Sequence, residues 1–247
     1  MKVKIDEIAK DIYRVAVLPE GSFISFNHYL IKDKVSTLVH AGHRATFTAV
    51  RDAVSEIIPL TDLRLLLFSH FESDECGSLN DWLGLLPDLQ VRTNKICNFS
   101  IQDFAIRPAQ LFKDNDILEL GEHSLRVLET PHFPHNWDAS LFFEENTKTL
   151  FCSDVATQTG FPQEHSANPD LDSIMKLQDS LGYISYGRQT AIGIKRLREL
   201  EFEQLAVMHG AVLDKAQGEE ILGQLLARNT SAMAQYDEEL LLTAERS

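Results

Sequence analysis

The segment His70-Phe71-Glu72-Ser73-Asp74-Glu75 gathers one imidazole and three carboxylates into a short stretch. Donors at alternate positions, with Glu75 added directly after Asp74, can converge on one point, and a mixture of imidazole nitrogen and carboxylate oxygen suits a transition-metal ion. The plain alternative is a solvated acidic loop carrying an incidental histidine. Three later residues weigh against that alternative because each follows an apolar run: His135 after residues 125–128 and a Pro-containing turn, Asp154 after 149–152, and His209 after 204–208. A carboxylate between two cations can bridge them, so Asp154 is the natural shared ligand, with His135 and His209 serving one cation each.

These donors need rigid elements behind them. Residues 63–69 form a short apolar run typical of a strand buried on both faces, and 77–86 can form a helix. Residues 70–76 are then a strand-to-helix loop at the carboxyl end of a strand, where α/β folds collect ligands. Before it, apolar–polar alternation through Tyr13, Val15 and Val17, then Ile24, Phe26 and Tyr29 to Ile31, then Val35, Thr37 and Val39, predicts consecutive meander strands. Lys32-Asp33-Lys34 is a polar turn, and helical spacing predicts a helix over 45–57. After the loop, 117–120 with 125–128 and 140–143 with 149–152 read as hairpins. Helices are predicted over 171–181, 192–200 and 218–244, and a strand over 204–208 runs into His209-Gly210. No internal repeat, low-complexity stretch or linker divides the chain, so 1–247 is expected to be one domain.

The 247 residues are 44% hydrophobic and 24% charged, a globular composition that excludes a disordered, collagen-like or disulfide-scaffold chain. Asp plus Glu number 37 against 23 Lys plus Arg, for a net charge of −14. Phosphate backbones and anionic bilayers are repelled by such a chain, so neither nucleic acid nor membrane is an expected partner. Cys76, Cys97 and Cys152 lack C-x-x-C spacing, which points to a reducing cytoplasm. The N-terminus has no apolar signal core, and no apolar run approaches the ~20 residues needed to span a bilayer, so a soluble cytoplasmic protein is expected.

With these residues in place, the sequence resembles the metallo-β-lactamase superfamily, and within it the di-iron domain of flavodiiron proteins. Where the family loop runs H-x-E-x-D-H-x-G, this chain has His70, Glu72, Asp74, Glu75 and Gly77 in those places. The interval from His135 to Asp154, including Asp138 and Leu150-Phe151-Cys152-Ser153-Asp154, fits without a gap. The likeness extends from Asn27-His28-Tyr29-Leu30-Ile31 to His209-Gly210. It implies an α/β fold, a four-layer αββα metallo-β-lactamase sandwich with the metals at one edge. Zinc hydrolases of the superfamily carry histidine at the position of Glu72, whereas a carboxylate there favours iron. By resemblance, His70, Glu72 and His135 hold one iron, Asp74 and His209 the other, and Asp154 bridges them.

Glu75 stands where flavodiiron reductases have histidine, so it either adds a carboxylate ligand or leaves a coordination position open. The reductases also continue into a flavodoxin-like domain, and this sequence stops at Ser247, so no built-in flavin is expected. Two ferrous ions supply two of the four electrons that take O2 to water. The chain therefore resembles most the stand-alone oxygen-binding di-iron proteins, whose sensory roles include bacterial chemotaxis. Leu38-Val39-His40-Ala41-Gly42-His43 supports this subgroup, since the hydrolases usually have Asp at the position of His40.

The resemblance implies two iron ions as cofactor and O2 as their ligand, giving a ferric peroxide-level species, with a signalling protein or chemoreceptor as partner and a homodimer as a candidate assembly. Two other readings stay open: an O2 or NO reductase fed by an external donor, and a metal-dependent hydrolase. His132 is a rival to His135 that the spacing to Asp154 disfavours. Together with Tyr183 and Tyr186 it is a candidate to contact the ligands rather than the metal, and His165 falls in the loop that often covers the site in this superfamily. Asp138 is a candidate partner for a ligand imidazole, and Cys76 reads as a packing residue.

Overall fold

Alternation through the first forty residues produces four antiparallel strands, β1 (Lys2–Ala9), β2 (Ile12–Leu18), β3 (Phe26–Ile31) and β4 (Ser36–Val39). This computed structural model describes residues 1–161 and 170–244; His165 lies outside the described residues. Helix α1 (Phe47–Ile57) returns the chain so that β5 (Leu63–Leu67) pairs parallel with β4. Then follow α2 (Ser73–Cys76), α3 (Leu79–Leu85), β6 (Gln90–Thr93), α4 (Lys95–Ile101) and β7 (Gln110–Leu111), which complete a 7-stranded sheet in sequence order.

A second sheet takes the rest of the chain. Strands β8 (Ile117–Glu119), β9 (Ser124–Glu129), β10 (Ser140–Glu144) and β11 (Thr149–Ser153) pair antiparallel. After α5 (Leu171–Leu181) and α6 (Arg188–Arg198), β12 (Gln204–Val207) pairs parallel with β11, followed by β13 (Leu213–Asp214) and α7 (Lys215–Ala244). The sheet order is β13-β12-β11-β10-β9-β8.

Side chains alternate across a strand, and that parity builds the layers. Tyr29, Ile31, Val39, Leu65 and Leu67 of the first sheet face Leu125, Val127, Phe142, Phe151 and Ala206 of the second in one inner core. The opposite parity, Val15, Val17, Leu30, Leu38 and Leu66, packs outward on α1, α3 and α4 through Val50, Trp82 and Cys97. Leu141, Leu150, Cys152, Leu205 and Val207 do the same on the second sheet against α5, α6 and α7. Each large apolar side chain so buried contributes roughly 1.5–3 kcal/mol. The result is the expected αββα sandwich.

Three local readings are corrected. The segment 70–76 is not loop throughout: α2 starts at Ser73, and the Cys76 amide donates to the Glu72 carbonyl at 2.9 Å. The helix predicted over 77–86 starts only at Leu79, because the Ser78 amide and hydroxyl turn back to the carbonyls of Gly42 and Ala41 at 2.8 and 2.7 Å. Unanticipated α4 is capped by Asn94, whose Oδ1 accepts from the Cys97 amide at 2.7 Å.

The two sheets are tied together at the rim where β4, β5, β11 and β12 end. The Asn27 amide donates to the Met208 carbonyl at 2.8 Å, and the Ser140 amide to the Ser69 carbonyl at 2.7 Å. Among the described residues, no helix is long and apolar enough to cross a membrane.

Candidate metal centre

β5 is buried along its length except for Arg64, and the chain leaves it through buried Phe68 and Ser69 into His70. A turn closed by the Glu72 amide on the His70 carbonyl, 3.1 Å, brings Glu72 back over the imidazole. His70 Nε2 lies 3.0 Å from Glu72 Oε2 and 3.8 Å from Glu75 Oε2. The helical turn of α2 swings Glu75 inward, and the Ala41 amide pins its carbonyl at 2.7 Å. Glu75 is fully buried, and neither of its carboxylate oxygens has a hydrogen-bond partner.

The second sheet supplies the opposing donors. Parallel β11 and β12 end side by side, with the Met208 amide donating to the Ser153 carbonyl at 2.8 Å, and so present Asp154 and His209 next to each other. Asp154 faces both ways: Oδ1 is 3.0 Å from His209 Nε2, while Oδ2 is 3.1 Å from His135 Nε2 and 3.8 Å from His70 Nε2. Asp74 reaches His209 Nε2 at 3.4 Å. His70, His135 and Asp154 each offer a donor atom within 4.8 Å of the others, and so do His70, Glu72 and Glu75. Glu75 thus sits beside His70 and Glu72.

Buried polar contacts aim the imidazoles. His209 Nδ1 donates to the Ser25 carbonyl at 2.9 Å, which turns Nε2 into the site. Gly210 adopts φ +102°, and a Cβ there would stand 2.4 Å from Gln158 Cβ, so this turn demands glycine. Its carbonyl accepts from Asn27 Nδ2 at 2.9 Å and from Arg14 Nη1 at 3.3 Å; Arg14 is itself buried and paired with Asp6 at 2.6 Å. The Tyr183 hydroxyl donates to the Asp154 carbonyl at 2.9 Å, and its ring meets that of His135 edge-on at 5.8 Å.

The electrostatics of this cluster favour a cation. Burial, then the nearby charges of Asp154 and Asp74, push the Glu75 carboxyl well above the usual carboxylate range. Burial would also raise Asp154, but contacts with His135 and His209 more than reverse it and hold that carboxyl well below its ordinary value. Burial works against a charged His209, yet Asp154 and Asp74 push it up to about 10. The negative charge that raises His135 and His209 would equally favour a metal ion, whose binding would displace protons from those imidazoles. Carboxylates Glu72, Asp74, Glu75 and Asp154 with imidazoles His70, His135 and His209 fit two hard or borderline cations, and unpartnered Glu75 is the donor least explained without one.

Not every expected residue arrives here. His132 is exposed, and its amide donates to the Asn136 carbonyl at 2.8 Å to close the turn. Asp138 does not orient an imidazole; its Oδ2 accepts from the Phe71 amide at 2.9 Å and so braces the loop itself. Tyr186 packs on the outer core, and Cys76 is buried with its thiol donating to the Glu72 carbonyl at 3.2 Å. His43 stacks edge-on against Phe26 at 4.7 Å. His40 is buried, and burial holds it down to about 3. Its carbonyl is 3.1 Å from His28 Nδ1, and His28 occupies the space a side chain at Gly42 would need. Ser69, Ser153, Arg14 and Asn27, which also support the ligands, drew no attention as support in the sequence. The one readable signal was that Ser69 and Ser153 directly precede His70 and Asp154.

A family model described as ODP family beta lactamase matches residues 24–210. The anaerobic nitric oxide reductase flavorubredoxin of Salmonella typhi is 25% identical over 202 residues, covering 76% of this chain and 41% of its own length. A flavo di-iron protein of Thermotoga maritima superimposes with a TM-score of 0.81 at 20% identity, over 92% of this chain and 62% of that one. Rubredoxin oxygen:oxidoreductase of Desulfovibrio gigas gives a TM-score of 0.83 at 18% identity, again over 92% and 62%. The structural likenesses establish a shared fold. The chain matches between 23% and 50% of the length of the curated relatives it resembles, half or less of each.

Proposed function

The chain belongs to the ODP family of β-lactamase-fold proteins, and from that premise we propose that it is a non-heme di-iron protein that binds O2 and reports it to a signalling partner. The observation that carries the reading is the convergence of carboxylate and imidazole donors on Asp154, with Glu75 fully buried and unpartnered beside them. His70, Glu72 and His135 would hold one iron, Asp74 and His209 the other, and Asp154 would serve both. Four carboxylates among the donors favour iron over zinc, which prefers nitrogen and sulfur. Ferrous ions held by these residues would supply the electrons for reducing bound O2.

The protein's own residues do the rest. Ser25, through its carbonyl, keeps His209 Nε2 directed inward, and Tyr183 holds the Asp154 backbone. Burial raises the Tyr183 phenol, so it stays a proton donor at neutral pH. Phe26 covers the His209 ring edge-on at 5.2 Å and limits water on that side. Glu72, about half exposed, lies on the open side from which a small gas can enter. The three cysteines are free and buried thiols, which supports a reducing, cytoplasmic setting.

Titrating the anaerobic ferrous protein with O2 tests this reading. We expect one O2 consumed per pair of irons and then no further uptake until reductant is added. No O2 uptake by iron-loaded protein would overturn it. The second reading, a reductase fed by an external donor, is favoured by the names of the flavorubredoxin and oxygen:oxidoreductase relatives. Continuous consumption of many equivalents of O2 or NO with a donor system would select it.

A further inference from the structure

We infer that Ser69 and Ser153 form a two-hydroxyl relay that joins His70 to Asp154 across the two sheets and fixes the hydrogen-bonding state of both. The inference rests on the di-iron reading of the site and concerns residues that do not touch the metals. The chain of contacts is continuous: His70 Nδ1 to Ser69 Oγ at 2.9 Å, Ser69 Oγ to Ser153 Oγ at 2.9 Å, and Ser153 Oγ to Asp154 Oδ2 at 3.0 Å. Both serines are buried, at 2% and 1% exposure, so these contacts replace hydration instead of adding to it.

The direction of the relay follows from the inventory of donors. A carboxylate only accepts, so the Ser153 hydroxyl donates to Asp154 Oδ2. Ser153 Oγ is then the acceptor for the Ser69 hydroxyl, and Ser69 Oγ accepts from His70 Nδ1–H. Each hydroxyl gives one proton and takes one, with none spare. The relay thereby keeps a proton on His70 Nδ1, and Nε2, at 3.0, 3.8 and 3.8 Å from Glu72, Glu75 and Asp154, is the nitrogen left to offer its lone pair to a metal ion in place of its contact with Glu72. The imidazole end requires the same direction, since an Nε2 ligand keeps its proton on Nδ1.

Backbone geometry also points to a positioned hydroxyl. Ser153 has φ 51° and ψ −128°, a conformation that favours glycine and strains a residue with a side chain. It persists at the irregular end of β11, where the β11–β12 register shifts. The conformation sets the hydroxyl between Ser69 of the first sheet and Asp154 of the second. Ser69 and Ser153 are positioning residues: one supports an imidazole as a better electron donor, and the other draws density from one oxygen of the shared carboxylate.

The two ends of the relay therefore act in opposite directions, which a merely structural role would not do. In iron-loaded protein, Ser69→Ala leaves the His70 N–H unsupported, weakens that ligand and should raise the ferric/ferrous midpoint potential. Ser153→Ala leaves Asp154 more electron-rich and should lower it. Both variants should still load two irons per chain, and Ser69→Thr, which restores the hydroxyl, should return the potential to the wild-type value. Iron content reports on the reading of the site, whereas the sign pattern reports on the relay. Shifts of the same sign, or none, in variants that load two irons would overturn the relay.

Discussion

Asp154→Ala is expected to empty both metal positions, whereas His209→Ala should empty one. Asp154 lies within contact distance of imidazoles on both sides, with Oδ1 at 3.0 Å from His209 and Oδ2 at 3.1 Å from His135. Removing it takes an anionic ligand from each ion and leaves adjacent imidazoles with less negative charge to offset a divalent cation. Loss of even an outer partner of a metal ligand lowers affinity by about 10–100-fold, so loss of a shared ligand should exceed that at both positions. Metal analysis after dialysis should find iron falling from two per chain to near zero in Asp154→Ala and to about one in His209→Ala. The asymmetry is the informative result, because general misfolding would remove metal equally from both variants. Circular dichroism of each variant checks that the fold persists.

Glu75→Gln is expected to change stability in opposite directions with and without metal. Burial, followed by the charges of Asp154 and Asp74, raises the Glu75 carboxyl above its ordinary value of 4.5 in the folded protein. The folded state then binds that proton more tightly than the unfolded chain does, so the sign of the linkage is negative. Its contribution is fully present below about pH 4.5 and is lost as pH rises through the folded-state value. The substituted amide would carry no charge and remove this slope, so metal-free Glu75→Gln should gain stability relative to the wild type as pH rises from about 4.5 toward neutrality. With iron or another divalent ion bound, the order should reverse, because the carboxylate then has the partner it lacks. Binding should also release one proton fewer in the variant over the range where Glu75 is protonated, measurable by calorimetry in buffers of different ionisation enthalpy. A variant that is more stable in both states would mean that Glu75 does not ligate.

Much of this centre was legible because its elements announce themselves. The buried run of β5 followed by H-x-E-x-D-E is a local pattern, and Asp154 and His209 each follow an apolar strand. The four layers were expected from the family resemblance, and strand parity is what builds them in the structure. What escaped depends on contacts between distant parts of the chain. The approach of Ser69 to Ser153 spans 84 residues, and that of Arg14 to Gly210 spans 196. Spacing cannot express either contact, since each arises only when two sheets meet at one rim. Asp138 was noticed but given the wrong partner, because a backbone amide leaves no trace in residue type. Helix α4 had a readable cap in Asn94, and its short length concealed it. The side of the site on which Glu75 lies depends on how far α2 turns, which only the folded backbone specifies.

The central claim is that two irons share Asp154, and low-temperature Mössbauer spectroscopy of protein loaded with isotopically enriched iron tests it most directly. We expect two irons per chain and, after oxidation, a spin-coupled ferric pair without magnetic splitting. Iron present at one per chain, with the magnetically split spectrum of isolated ferric ions, would contradict the account.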